Sequence, residues 1–179
     1  MQMATQLTRW TLAELHRLPD DGNKYELVRG ELFVTPPPTD AHEAVLSRLT
    51  RILDPFVAAN DLGLVYHPRA VIRFDGSEVE PDLMVRRVKA SGGRDWDDAP
   101  TPWLVVEVLS GSTRRRDLGE KRQLYLDAGV PEYWVVDPEA RTVRVMRPSG
   151  HDQSVADRLE WAPERVHVSL TIDVPAMFG

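Results

Sequence analysis

A single carboxylate inside an apolar run constrains this chain more than any other feature. Residues 103–109 read Trp103-Leu104-Val105-Val106-Glu107-Val108-Leu109. A β-prone run of this kind predicts a central strand with both faces covered. A carboxylate buried in such a strand is costly unless a cation or a metal sits beside it. Glu107 therefore needs a partner from elsewhere in the chain.

The run is followed by a turn, Ser110-Gly111-Ser112-Thr113, and then by a charged stretch that reads as a helix from 113 to about 128. Gly129-Val130-Pro131 stops that helix with a glycine followed by a proline. Residues 132–136 form the next expected strand, and 142–146 should pair with it as a hairpin across the turn at 137–140. Upstream, Thr11-Leu12-Ala13-Glu14 fits a capping box that opens a short helix to about Leu18. Lys24–Val28 and Glu31–Thr35 read as a hairpin around Arg29-Gly30. Pro36-Pro37-Pro38 is a stiff connector that cannot continue a central strand.

Apolar Val45, Leu46, Leu49, Ile52, Leu53 and Phe56 recur at helical spacing, which predicts a long amphipathic helix over 40–58, capped at Asp40 and frayed or kinked near Pro55. Short strands are expected at 64–66, 70–74 and 79–85. A polar loop at 89–102, pinned by Trp96, leads back to the central strand. The tail reads as a loop over 148–155 and edge strands near 157–161 and 166–170. The expected fold is α/β with a mixed α+β sheet covered by at least two helices. One domain spans 1–179, with its core at about 40–137, an N-terminal helix and hairpin over 11–36, and C-terminal strands over 142–170.

Composition narrows the function. The 179 residues carry a net charge of −6, which argues against a protein that coats nucleic acid with a basic surface. A local basic patch stays compatible with it. There is no cysteine, so disulfides and thiolate metal sites are excluded. No apolar run approaches the roughly 20 residues that span a bilayer. Residues 1–6 lack the apolar core of a signal peptide. A cytoplasmic protein with no membrane partner is expected.

Glu80-Pro81-Asp82 opens the apolar stretch Leu83-Met84-Val85. If Asp82 and Glu107 stand on adjacent strands, their charges repel unless a divalent cation joins them. Oxygen ligands of this type suit Mg²⁺ or Mn²⁺. The five histidines show no paired metal-ligand spacing. Asp117 and Lys121 are four residues apart and share a helix face, with Tyr125 one turn further on. From the residues alone, Asp82 serves equally as a cap after Pro81, and Lys121 as a solvated lysine. Glu43 reads first as a charge favoured at a helix start, and the arginine run serves equally as a solvated face.

Pro81-Asp82, then Glu107 in an apolar strand, then a lysine resembles the signature of the PD-(D/E)XK nuclease superfamily. The lysine of that pattern usually stands two residues after the glutamate. Here that position is Leu109, and Lys121 on the following helix is the candidate in its place. Further stretches resemble the Uma-type restriction endonucleases over roughly residues 10–147: Tyr25-Glu26-Leu27-Val28-Arg29-Gly30-Glu31-Leu32, Pro36-Pro37-Pro38 with His42, Asp117-Leu118-Gly119-Glu120-Lys121, and Val130-Pro131-Glu132-Tyr133-Trp134-Val135-Val136-Asp137-Pro138.

The resemblance implies a restriction-endonuclease-like core of order αβββαβ, with β-hairpins added at both ends. It also implies a metal-dependent endonuclease that hydrolyses DNA phosphodiester bonds. Asp82, Glu107 and the backbone carbonyl of Val108 would hold Mg²⁺ or Mn²⁺, with Glu43 as a further ligand. Lys121 would orient the attacking water or stabilise the developing charge. Arg114, Arg115, Arg116 and Arg122 would contact phosphates, while Glu31, Asp117 and Tyr125 would support the site. Related nucleases often dimerise, and a homodimer is expected. The competing expectations are a catalytically inactive nucleic-acid or protein-binding module on the same fold, and a metal-dependent hydrolase of another phosphate ester.

Overall fold

The structure, a computed structural model, describes residues 9–88, 96–111 and 113–179. The expectations that fall on 1–8, on 89–95 of the polar loop and on Ser112 lie outside the described residues.

The first described element is helix α1 (Leu12–Leu15), opened by the expected capping box between Thr11 and Glu14 and ending one turn short of the expected Leu18. Strands β1 (Lys24–Val28) and β2 (Glu31–Thr35) form the expected hairpin. Its turn residues Arg29 and Gly30 both have positive φ, the conformation a two-residue turn needs to match the twist of its strands. Helix α2 (Asp40–Ala59) follows. Its N-cap is Thr39 rather than Asp40, because the Thr39 hydroxyl accepts the His42 N–H. It continues through Pro55 for a further turn.

Next come β3 (Leu64–Tyr66), β4 (Ile72–Phe74), β5 (Ser77–Val79), β6 (Leu83–Arg86) and β7 (Leu104–Val108), then helices α3 (Arg114–Leu118) and α4 (Glu120–Asp127). Strands β8 (Tyr133–Asp137), β9 (Thr142–Met146), β10 (Gln153–Val155), β11 (Arg158–Trp161) and β12 (Leu170–Asp173) complete the chain, before a 3-10 turn at Pro175–Met177.

Two expected elements are divided. The strand expected over 79–85 becomes β5 and β6, which belong to different sheets. The break falls at Pro81, which has no N–H to give a ladder. The helix expected over 113–128 becomes α3 and α4. Gly119 separates them with a non-helical φ/ψ of −116°/−94°, and a Cβ there would stand 2.9 Å from the Arg115 carbonyl oxygen. In the tail, β10 occupies part of the expected loop, and the last strand lies at Leu170–Asp173 instead of 166–170.

The small sheet has the order β2-β1-β5-β4 and the large sheet the order β10-β9-β8-β7-β6-β3, while β11 and β12 pair by themselves. In the large sheet β7 and β8 run parallel. A parallel pair needs a crossover, and α3 and α4 supply it. Strand parity then sorts β7 between two cores. Leu104, Val106 and Val108 pack into one core with Leu46, Leu49 and Leu53 of α2. Val105 packs into the other with Leu124 and Tyr125 of α4. Glu107 shares the parity of Val105 and so faces α4.

Candidate active site

The register of β6 against β7 brings the two predicted carboxylates together. Leu83 pairs with Val106 and Met84 with Val105. One further step along this antiparallel register sets Asp82 opposite Glu107, where cross-strand Cβ atoms lie about 5 Å apart. Asp82 continues the ladder with its side chain: Oδ2 accepts the Val108 N–H at 2.9 Å. The break at Pro81 gives Asp82 this position, at the corner where the chain leaves the small sheet for the large one.

Each carboxylate has its own cations. Asp82, 6% exposed, also accepts Lys24 Nζ on Oδ1 at 3.1 Å and contacts His42 Nε2 through Oδ2 at 3.0 Å. Burial raises its pKa, but Lys24 and His42 outweigh that and hold it well below the usual carboxylate range. Glu107, 2% exposed, accepts the Tyr125 hydroxyl at 2.6 Å and contacts Lys121 Nζ. Here burial wins: it pushes Glu107 up to about 7, aided by the Asp82 charge and opposed by Lys121. Two neighbouring acids are thus driven apart, one firmly ionised and one poised near neutrality.

Lys121 is fully buried. Besides Glu107, it donates at 2.8 Å to Oε1 of Glu26, a fully buried carboxylate on β1. Burial lowers its pKa, but Glu107 and Glu26 raise it further, and the balance keeps it charged. Glu26 Oε1 also accepts the Glu80 N–H at 2.9 Å, and Arg116 stands 3.6 Å from Oε2. Burial raises the Glu26 pKa, whereas Lys121, Lys24 and Arg116 lower it, and the cations prevail. Lys24 Nζ has a second acceptor in the Glu80 carbonyl at 3.0 Å.

The sequence reading gave Glu26 and Lys24 no role. The signal for Glu26 was available, because Tyr25-Glu26-Leu27-Val28 is another β run with a carboxylate inside it. Lys24 lies two residues earlier and so on the same strand face.

A cleft of about 1030 Å³ opens over Asp82 and Glu107. Its lining includes Lys24, Pro36, Pro37, Pro38, His42, Glu43, Arg51, Arg69, Val108, Arg116 and Asp117. Glu43 is largely exposed and touches His42 Nδ1 at 3.4 Å, one residue removed from Asp82. Asp117 is buried, and burial raises its pKa. Glu31 is exposed at the start of β2 and does not line the cleft. Of the four predicted phosphate-binding arginines only Arg116 lines it, buried beside Glu26 and Asp117. Arg114 pairs with Asp137 and Arg122 with Asp152, both at 2.9 Å or less, and neither lines the cleft. Arg115 is exposed and lies outside the lining.

The lining carries six acidic side chains against four lysines and arginines. Among the described residues no three His, Asp or Glu side chains converge as a ready cation cage. The donor chemistry still fits a hard divalent ion. Two carboxylates face each other across a ladder at the cleft, and burial holds one of them up near 7, so a cation beside the pair would be favoured.

The element order and the mixed sheet define a restriction-endonuclease-like fold. It is similar to the crystal structure of a protein from Anabaena variabilis described as a "putative nuclease belonging to DUF820", with a TM-score of 0.78 and 19% identity over 94% of this chain and 97% of that one. The chain belongs to the Uma2 family, described as "Putative restriction endonuclease", whose model matches residues 12–175. No curated protein matches the chain. No helix among the described residues is long and apolar enough to cross a membrane.

Proposed function

We propose that the protein is a metal-dependent endonuclease that hydrolyses DNA phosphodiester bonds, with Asp82 and Glu107 at its centre. The observation that carries this reading is their cross-strand placement under an open cleft, with cations arrayed around them. Asp82, Glu107 and the Val108 carbonyl would hold Mg²⁺ or Mn²⁺. When bound, the ion supplies positive charge at the phosphate and acidifies water.

The protein's own residues do the rest. Lys121 and Tyr125 hold Glu107 in place and lower the cost of its charged form. Lys24, His42 and the Val108 N–H hold Asp82 ionised and fixed in orientation. Glu43 on the cleft wall, in contact with His42, would add a further carboxylate to the ion from the side of α2. Arg51, for which no ion pair is found among the described residues, is a free cation in the lining for a neighbouring phosphate.

Supercoiled plasmid incubated with Mn²⁺ tests the reading. The wild type should nick or cut it, and Asp82→Asn and Glu107→Gln should each lose about 100-fold or more. Calorimetry should show saturable Mn²⁺ binding that both substitutions abolish. Cleavage that survives both substitutions would refute the site. Absence of both cleavage and Mn²⁺ binding would leave the chain as a binding module on a nuclease fold.

A further inference from the structure

Two lysines surround the carboxylates, and only one of them faces the cleft. Lys121 is fully buried and is absent from the lining, screened by Glu107. An ammonium has three N–H donors. Two of those on Lys121 are committed to Glu26 and Glu107, themselves buried. Lys24 differs on each point. It lines the cleft, its side chain keeps 18% exposure, and its ammonium lies 3.1 Å from Asp82 Oδ1. Two of its donors go to Asp82 and to the Glu80 carbonyl, which leaves a third.

The other cations of the lining are less suited to the reacting centre. Arg116 is wedged between Glu26, Asp117 and the ring of Phe33, 5.2 Å away. Arg69 pairs with Asp20 at 3.3 Å, and Arg51 lies on α2 without contact to either central carboxylate.

Resting on the nuclease reading above, we propose that Lys24 is the catalytic lysine. Its ammonium contacts a non-bridging oxygen of the scissile phosphate and stabilises the charge that grows there. Lys121 is the buried counter-ion that keeps Glu26 and Glu107 in the fold. Lys24 can shift its third donor to a phosphate oxygen while keeping Asp82. Lys121 cannot reach the cleft without giving up its contacts to two buried carboxylates. The usual position of the lysine, two residues after the glutamate, is filled by buried Leu109. The functional cation then arrives from the opposite direction, on β1, from the start of the chain.

Lys24→Met, Lys24→Cys and the Lys24→Cys protein alkylated with bromoethylamine form the test, with single-turnover Mn²⁺ cleavage of plasmid as the readout. Lys24→Met and Lys24→Cys should lose about 100-fold or more, and alkylation, which rebuilds an ammonium at the same reach, should restore most of the loss. Because Lys24 also steadies Asp82, Mn²⁺ affinity is measured on each variant, and unchanged affinity separates the phosphate contact from damage to the metal site. Lys24→Met with more than a tenth of wild-type activity overturns the proposal, as does alkylation that leaves an inactive protein inactive.

A second readout keeps the proposal distinct from the nuclease reading. Binding of a 20-nucleotide single strand is measured in Ca²⁺ against salt, where Lys24→Met should lower the slope by about one phosphate contact. A wild type that never cleaves but shows this change refutes the nuclease reading and retains the contact. A slope that does not change refutes the contact.

Discussion

Replacing Lys121 by methionine should damage the fold more than any exposed lysine would, and the cost follows from its surroundings. The ammonium lies 2.8 Å from Glu26 Oε1 and also contacts Glu107, and the three side chains are between 0 and 2% exposed. At an effective dielectric constant near 20, the Glu26 contact alone is worth about 6 kcal/mol of Coulomb attraction. Desolvation of the three groups takes back much of that. Removing one partner of a buried ion pair typically costs 3–5 kcal/mol, because the remaining charge is left without compensation. Arg116, Lys24 and the Glu80 N–H still compensate Glu26, and Glu107 can take up a proton, so about 3 kcal/mol is expected at pH 8. Urea unfolding with a slope near 2 kcal/mol/M would then show a midpoint about 1.5 M lower. At pH 5.5, where Glu107 is already protonated, the loss should shrink. Lys121→Met combined with Glu26→Gln should be more stable than the sum of the two single effects, since the second change removes the stranded charge. A Lys121→Met protein within 1 kcal/mol of wild type at pH 8 would refute the assignment of Lys121 as a counter-ion. So would a loss identical at both pH values.

Two further outcomes test the site by itself. Glu107 is raised from an ordinary 4.5 to about 7 in the fold, so between those values the native state holds a proton that the unfolded chain has released. The unfolded state binds fewer protons there, and stability falls as pH rises through the window, by about 3 kcal/mol. His42, also raised in the fold, adds a slope of the same sign, so in chelator Glu107→Gln should reduce the slope, and urea titrations at pH 5, 6, 7 and 8 that show the same slope in both proteins would contradict it. Tyr125→Phe deletes a 2.6 Å hydrogen bond to a buried carboxylate; it should cost about 1.5–3 kcal/mol in the same titrations, and a change under about 0.5 kcal/mol would show that the bond is not made.

Much of the fold is legible in the sequence because its signals are local. The hairpin turn at Arg29-Gly30, the capping box at Thr11, the apolar spacing of α2 and the glycine–proline stop after α4 each depend on a few adjacent residues. What was misread depends on partners far along the chain. Nothing within residues 79–85 says that Val79 joins one sheet and Leu83 another, because that choice is made by β1 on one side and β7 on the other. The break in the helix at Gly119 rests on a single glycine among strong helix formers. The final strands are short edge pairs with weak local preference, and β12 is placed by its pairing with β11.

The site divides along the same line. A carboxylate in an apolar strand announces its own need for charge, and Glu107 is indeed buried and in contact with the Lys121 ammonium. The same need applies equally to Glu26, which sits in a strand of the same five-residue length. The lysines were harder to place, since a lysine carries no sequence mark of where its ammonium ends. Strand parity settles what position could not. Glu107, Leu109 and Asp82 lie on the face of the large sheet turned toward α4 and β1, so a cation can reach that face from either element. Lys121 comes from α4 and Lys24 from β1, and each satisfies a different acid. A site built this way needs no lysine at the second position after the glutamate. It needs only that the face carrying the acids be covered by elements with a cation at the right height. The arginines named from the sequence gathered only in part: Arg116 of α3 lines the cleft, while Arg114 and Arg122 found nearer carboxylates in Asp137 and Asp152.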